Sequence, residues 1–158
     1  LVERDGYTFL HEIHSHGLLI SIIPFRLTMN GIQYLARIEV CPAHGNTPEL
    51  CSITGGIDHG KTPRQMAQIE LLEEGGYRVN EDNLIDLGQV RPSKSSDTTV
   101  YLFSVELTDI EQGIAIGDGS RLEAESSTQW VTYEMGIEIQ DPLFVTGMVK
   151  LNKRLNIK

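Results

Sequence analysis

The chain has 158 residues, the size of one domain, with 22 Asp and Glu against 13 Lys and Arg and a formal charge of −9. Hydrophobic residues make up 40% and charged residues 22%, an ordinary soluble composition that excludes general disorder. The acid excess excludes a broad nucleic-acid-binding face, because phosphate backbones are met by cationic surfaces.

Leu18 to Leu27 reads as one buried strand, rich in Leu and Ile. It is the heart of the longest apolar run, Gly17 to Phe25, which is far short of the roughly 20 residues that span a bilayer. No basic region of a signal peptide precedes it, so the expected location is cytoplasmic, with no membrane partner. Asn30-Gly31 then predicts a hairpin turn, because both central positions of a type I′ turn need positive φ. Gln33 to Val40 is the return strand, and Pro42 to Pro48 a loop. Glu49 to Thr54 reads as a short strand running into Gly55-Gly56.

Thr62 suits an N-cap and Pro63 the first helical position, where a missing N–H costs nothing. Gly75-Gly76 would end that helix near residue 74, since glycine tolerates the left-handed C-cap. Leu84 to Val90 and Thr99 to Leu107 read as strands, Ile110 to Ser127 as a long acidic loop, and Gln129 to Tyr133 as a strand around the only tryptophan, Trp130. Trp130 suits a core position better than a platform for stacking a base. Asp141 and Pro142 open a last helix with Phe144, Met148, Leu151 and Leu155 on one face and Lys150, Lys153 and Arg154 toward its end. Strands and helices mix without strict alternation, so the class is α/β or α+β with a mixed sheet.

Two cysteines, Cys41 and Cys51, are too few for a disulfide framework and lack zinc-site spacing. His11, His14 and His16 could form a metal cluster, but their spacing suits an exposed, extended segment better.

The helix at 63–74 carries the chemistry. Glu70, Glu73 and Glu74 stand at i, i+3 and i+4, so three carboxylates share one face and repel one another. A hard divalent cation would turn that repulsion into an asset, because Mg²⁺ takes oxygen ligands and commonly one or two carboxylates. The stretch from Gly55 through Lys61, Ile69, Glu70, Leu71, Glu73 and Glu74 to Gly76-Tyr77 resembles the Nudix box. Gly55, Glu70, Leu71, Glu73, Glu74 and Gly76 match in register, and Tyr77 serves as the closing apolar residue.

The resemblance implies a single Nudix domain over 1–158 and an α/β/α sandwich with a mixed sheet. It implies Mg²⁺ or Mn²⁺ held by Glu70, Glu73 and Glu74, with Gly55 and Gly56 letting substrate approach the backbone. It implies hydrolysis of the pyrophosphate bond of a small nucleotide substrate, with Glu73, Glu74 and Glu125 as catalytic acids and Glu123 in reserve. Pro92, fifteen residues after Tyr77, resembles a mark of the family's ADP-ribose pyrophosphatases, so Arg91, Pro92 and Lys94 are candidate substrate contacts. Asp97 is a further candidate base, and His59 a candidate phosphate contact. A homodimer is open, although only a short segment precedes the first core strand.

Two positions depart from the box. Lys61 stands where the family has Glu, and Ile69 where it has Arg. The family's arginine can orient the first acid of the Glu-Glu pair, and Ile69 cannot. Arg64, Lys61 and Arg91 are the candidate replacements. The departures predict reduced activity, a shifted metal preference, or a nucleotide-binding module that has lost catalysis.

Overall fold

The structure is a computed structural model and describes residues 1–117 and 126–157. It opens with a hairpin, β1 (Val2–Arg4) and β2 (Tyr7–Phe9). Asp5 and Gly6 form its turn with φ of 53° and 77°, the two positive values that a type I′ turn requires. This hairpin was not anticipated, although Asp-Gly is a turn signal as strong as Asn-Gly.

The buried strand expected over Leu18 to Leu27 is two strands, β3 (Leu18–Ile22) and β4 (Phe25–Thr28). The break falls at Ile23-Pro24, since proline cannot donate to a ladder. There the chain leaves one sheet and joins the other. The following hairpin forms as expected, but Thr28 pairs with Gly31, so Met29 and Asn30 occupy its loop. Gly31 alone among these has positive φ, at 113°, and β5 runs from Gly31 to Val40.

The strand expected at Glu49 to Thr54 is likewise divided, into β6 (Pro48–Cys51) and β7 (Ile53–Gly56). Ser52 is the crossing point and is buried. Asp141 holds it, accepting from the Ser52 amide at 2.8 Å and from its hydroxyl at 2.7 Å.

Then come helix α1 (Pro63–Gly75), a 3₁₀ turn (Glu81–Asn83), β8 (Ile85–Val90), β9 (Thr99–Ser104) and β10 (Ser127–Val131). A one-turn helix α2 (Tyr133–Gly136) replaces the end of the strand expected there, with Thr132 as its cap. Helix α3 (Pro142–Leu155) closes the chain.

One sheet has the order β7-β3-β9-β8, with β3 and β9 parallel and the other pairs antiparallel. The other is built on β5, flanked by β10, β4 and β6. Side chains alternate across the first sheet, as strand geometry demands. Ile20, Ile22 and Phe103 join Met66, Ala67 and Leu71 of α1 in one core, while Val100 and Leu102 join Phe144, Met148 and Leu151 of α3 in a second. The two long helices therefore cover opposite faces of a mixed sheet, the α/β/α arrangement expected. No helix among the described residues is long and apolar enough to cross a membrane.

Candidate active site

Helix α1 is fixed at both ends by local chemistry. The Thr62 hydroxyl accepts from the Gln65 amide at 3.1 Å, and the Gln65 side chain accepts from the Thr62 amide at 3.0 Å. This reciprocal cap satisfies two of the first turn's orphan N–H groups. At the other end Gly76 takes the left-handed conformation, φ 74°, and donates to the carbonyls of Leu71 and Leu72. Only glycine fits there, because a Cβ would lie 2.5 Å from the Gly113 carbonyl oxygen. Gly113 donates to the Gly76 carbonyl at 2.8 Å, and Gly117 to the Glu73 carbonyl at 2.9 Å, so the loop after β9 runs over the acidic end of the helix.

Glu70 lies over Gly55 of β7, where a Cβ would overlap its carboxylate. The two box positions are thus complementary in space: glycine at 55 leaves the cradle that the acid at 70 fills. Gly56 is crowded on its own side by Ser15, whose Cβ would stand 3.0 Å from a Cβ there. Ser15 is held by Glu12, which accepts from its hydroxyl, from its amide at 2.9 Å and from the His14 amide at 2.6 Å. The Ser15 hydroxyl, joined by these amides, draws the Glu12 carboxyl down to about 2.

Glu73 is half-buried, and its carboxylate has no hydrogen-bond or ion-pair partner among the described residues. Glu74 is different. It is buried in an ion pair with Arg37 of β5, each side chain 5% exposed. The same guanidinium meets Glu39 at 3.1 Å and donates to the Ser126 hydroxyl at 3.4 Å. Its Nε–H has no acceptor among the described residues. Burying these charges is costly, and the cost is offset only because cation and carboxylate are buried together.

Beyond Glu39 opens a cavity of about 650 Å³, lined by Glu39, Cys41, His44, Cys51, Ser52 and Asp141 among others. Burial and the neighbouring Glu39 carboxylate push the Cys51 thiol up, so at neutral pH it is a thiol and no nucleophile.

None of the three expected replacement cations reaches the box acids. Arg64 donates to the carbonyls of Glu81 and Leu84 at 3.0 and 2.7 Å and lies 5.7 Å from the Phe103 ring centre. Lys61 and Arg91 are exposed. Among the described residues Arg37 is a cation that meets a box acid, Glu74, and Ile69 packs against the core instead. A signal for Arg37 exists in the sequence: a charge following Tyr34-Leu35-Ala36 in a strand that is otherwise apolar there.

Arg91, Pro92 and Lys94 are exposed, and no hydrogen bond or ion pair joins them to the box. Their loop pairs instead with the N-terminal segment, Leu10 donating to the Ser95 carbonyl at 2.7 Å and Tyr7 to that of Lys94 at 3.0 Å. Asp97 binds His11 at 2.8 Å. His14, His16 and His59 are exposed. Trp130 packs against the core, edge-on to Tyr77 and under the Arg26 guanidinium at 4.3 Å. Glu123 and Glu125 lie outside the described residues.

Among the described residues no three His, Cys, Asp or Glu side chains are gathered into a preformed metal site. The donor set nevertheless suits a hard cation in part. Glu70 in its glycine cradle and the unengaged Glu73 share one helix face, and Mg²⁺ commonly takes one or two carboxylates. Glu74 meets Arg37 through one carboxylate oxygen, Oε1.

No model of a known protein family matches the sequence, and no curated protein matches it. Solved structures do. A protein of Listeria monocytogenes described as a NUDIX hydrolase superposes with a TM-score of 0.63 at 18% identity, over 88% of this chain and 94% of that one. An ADP compounds hydrolase gives 0.65 at 17% identity, over 87% and 73%. A MutT/nudix family protein from Enterococcus faecalis gives 0.57 at 16% identity, over 77% and 45%. The chain has the Nudix fold. In this chain the loop after β7 leads into α1, and Glu70 of that helix lies over Gly55 of the strand.

Proposed function

We propose that this chain is a Nudix pyrophosphohydrolase that cleaves the diphosphate bond of a nucleoside diphosphate joined to a second group, with ADP-ribose-like compounds as preferred substrates. The carrying observation is the Glu70 carboxylate laid into the space that Gly55 leaves open, which supports reading these two positions together as parts of a box. The ADP compounds hydrolase among the structural neighbours supports the substrate class.

Glu70 and Glu73 would hold Mg²⁺ or Mn²⁺, which when bound neutralises diphosphate charge and acidifies a water. The chain's own residues do the rest. The Arg37 Nε–H is a buried donor with no acceptor among the described residues, suited to a phosphate oxygen. The cavity lined by Glu39 is large enough for a nucleoside, and Glu39 is also paired with Arg37. A carboxylate must take the proton of the attacking water. Glu125 is the proposed base.

A substrate screen tests the reading: ADP-ribose, NADH and a dinucleoside polyphosphate, each with Mg²⁺ or Mn²⁺. Turnover of ADP-ribose that falls by about a hundredfold in Glu73→Gln is the expected result. Turnover indifferent to Glu73→Gln would remove the site assignment. A second reading, a nucleotide-binding module without turnover, draws on the engagement of Glu74 by Arg37 and on Lys61 and Ile69. It expects calorimetric binding of ADP-ribose and no product with any metal.

A further inference from the structure

Helix α3 carries a charge cluster of the opposite sign to that of α1. Lys150, Lys153 and Arg154 stand at i, i+3 and i+4, so three cations share one stripe in a chain whose formal charge is −9. None of them makes an ion pair with an acid among the described residues. The helix dipole favours Lys153 and Arg154 in the last turn, but Lys150 lies a turn earlier. Like charges at this spacing repel.

Strand β8 meets this stripe with a bulge. Asp86 pairs with Phe103 and Gly88 with Leu102, which leaves Leu87 as the extra residue without a register partner in β9. Gly88 has a φ of 85°, and the Asp86 carboxylate accepts from its amide at 2.7 Å. The Leu87 carbonyl accepts from the Lys150 ammonium at 3.1 Å. Lys150 is half-buried and fixed by that bond, while Lys153 and Arg154 are exposed. Between the bulge and the helix lies an open cleft of about 690 Å³, where these three cations stand against a single acid, Asp86.

From this arrangement we infer that the cleft between β8 and α3 is an anion site for a small phosphate-bearing molecule. The Arg154 guanidinium offers paired donors that match phosphate oxygens, and the two lysines add point charges. The volume is that of a small-molecule site. Lys150, held by the bulge carbonyl, is the ordered end of the site, and Lys153 and Arg154 reach the ligand from the next turn. A bound phosphate offsets the repulsion among the three. The cleft lies on the α3 side of the sheet and the box helix on the other, so the inference needs neither the metal nor the hydrolase reading.

Calorimetric titration of the full chain tests it, at fixed ionic strength and with EDTA present so that no divalent metal serves the box. Inorganic phosphate, AMP and adenosine are the probes. Saturable phosphate binding is expected, weakened about tenfold or more in the double variant Lys153→Gln with Arg154→Gln. Both side chains are exposed, so the variant keeps the fold. Arg4→Gln, which removes an exposed cation of β1, is expected to leave binding unchanged. The difference between the unmodified chain and the double variant reads the cleft alone, whatever nucleotide the box holds. Within that difference, AMP bound more tightly than phosphate supports the site with a nucleotide as occupant, and AMP bound no more tightly supports it with free phosphate. No saturable binding of either, binding indifferent to the double variant, or adenosine bound as well as AMP overturns the inference. Polyglutamate bound through Lys153 and Arg154 with no phosphate binding also overturns it, and makes the cleft a contact for an acidic protein. Turnover of a nucleotide, present or absent, bears only on the hydrolase reading.

Discussion

The two long helices cover opposite faces of one sheet, and different physics holds each there. Helix α3 is an amphipathic packing helix. Phe144, Met148 and Leu151 recur at i, i+4 and i+7, and all are fully buried. Its cap is Asp141, its last turn carries Lys153 and Arg154, and Asn156 closes it in the left-handed conformation. Helix α1 buries Met66, Ala67 and Leu71, but also Glu74 and Gly75. Its inner face is therefore interrupted by a carboxylate, and a strand must bring a cation to it. A charge on the buried face of a helix adds little stability for what it costs. Such a charge makes sense where it orders a polar site, and that is what separates the box helix from the packing helix.

The largest effects should come from cutting each helix at its defining contact. Arg37→Ala leaves Glu74 buried without its cation and should cost about 3–5 kcal/mol. Phe144→Ala empties a packed core position and should cost a similar amount, about 3–5 kcal/mol. Urea unfolding would measure both. The comparison sharpens with a double variant. Arg37→Met with Glu74→Leu should recover most of the loss, since a buried pair replaced by apolar groups is often neutral or better. No partner substitution at α3 should rescue Phe144→Ala in that way. Recovery absent in the double variant would mean the pair is a net stabiliser, and the contrast between the helices would fall.

A smaller effect is expected at Asp141, which belongs to both regions. It caps α3 by accepting from the Leu143 amide at 2.9 Å and the Phe144 amide at 3.2 Å, and it pins Ser52 where the chain changes sheets just before the box. Asp141→Ala should cost about 2 kcal/mol, more than an ordinary cap, because the buried Ser52 amide also loses its acceptor. A loss near that of a simple exposed cap in thermal unfolding would mean the Ser52 contact contributes nothing.

The smallest effect is a pH dependence at the support of Gly56. Folding lowers the Glu12 carboxyl from 4.5 to about 2. A lowered carboxyl stabilises the fold fully above its unfolded value and loses that contribution as pH falls through its folded value. Stability should therefore decline from about pH 4.5 toward pH 2 in the unmodified chain, and Glu12→Gln should flatten part of that slope. Equal slopes for the two would show that the turn at Ser15 does not depend on the charge.

Much of this was readable in one dimension. The helix at Pro63, its Thr62 cap and its Gly75-Gly76 end are consequences of local backbone preference, which neighbouring residues decide. So are the Asp141 cap and the apolar stripe of α3. Two strands were read as longer than they are, because an apolar run carries no mark of which sheet it serves. Pro24 was a signal for one break, while the Ser52 break depends on Asp141, far along the chain. The substrate loop was read from spacing to Pro92, and the structure ties that loop to Leu10 and Tyr7 rather than to the box.

The sequence by itself determined the chemistry on the helix face. Three acids at i, i+3 and i+4 share that face in any helix, and Gly55 stands in Nudix register with them, because helical periodicity is a local property. Only the tertiary structure decided which acid would be neutralised and by what. Arg37 lies far from Glu74 in sequence, and its place in an apolar strand marks it as buried without naming its partner, while Arg64, ten residues before the same acid, faces elsewhere. Which cation meets which carboxylate is set by how the strand and the helix pack, and packing depends on contacts that sequence spacing does not encode.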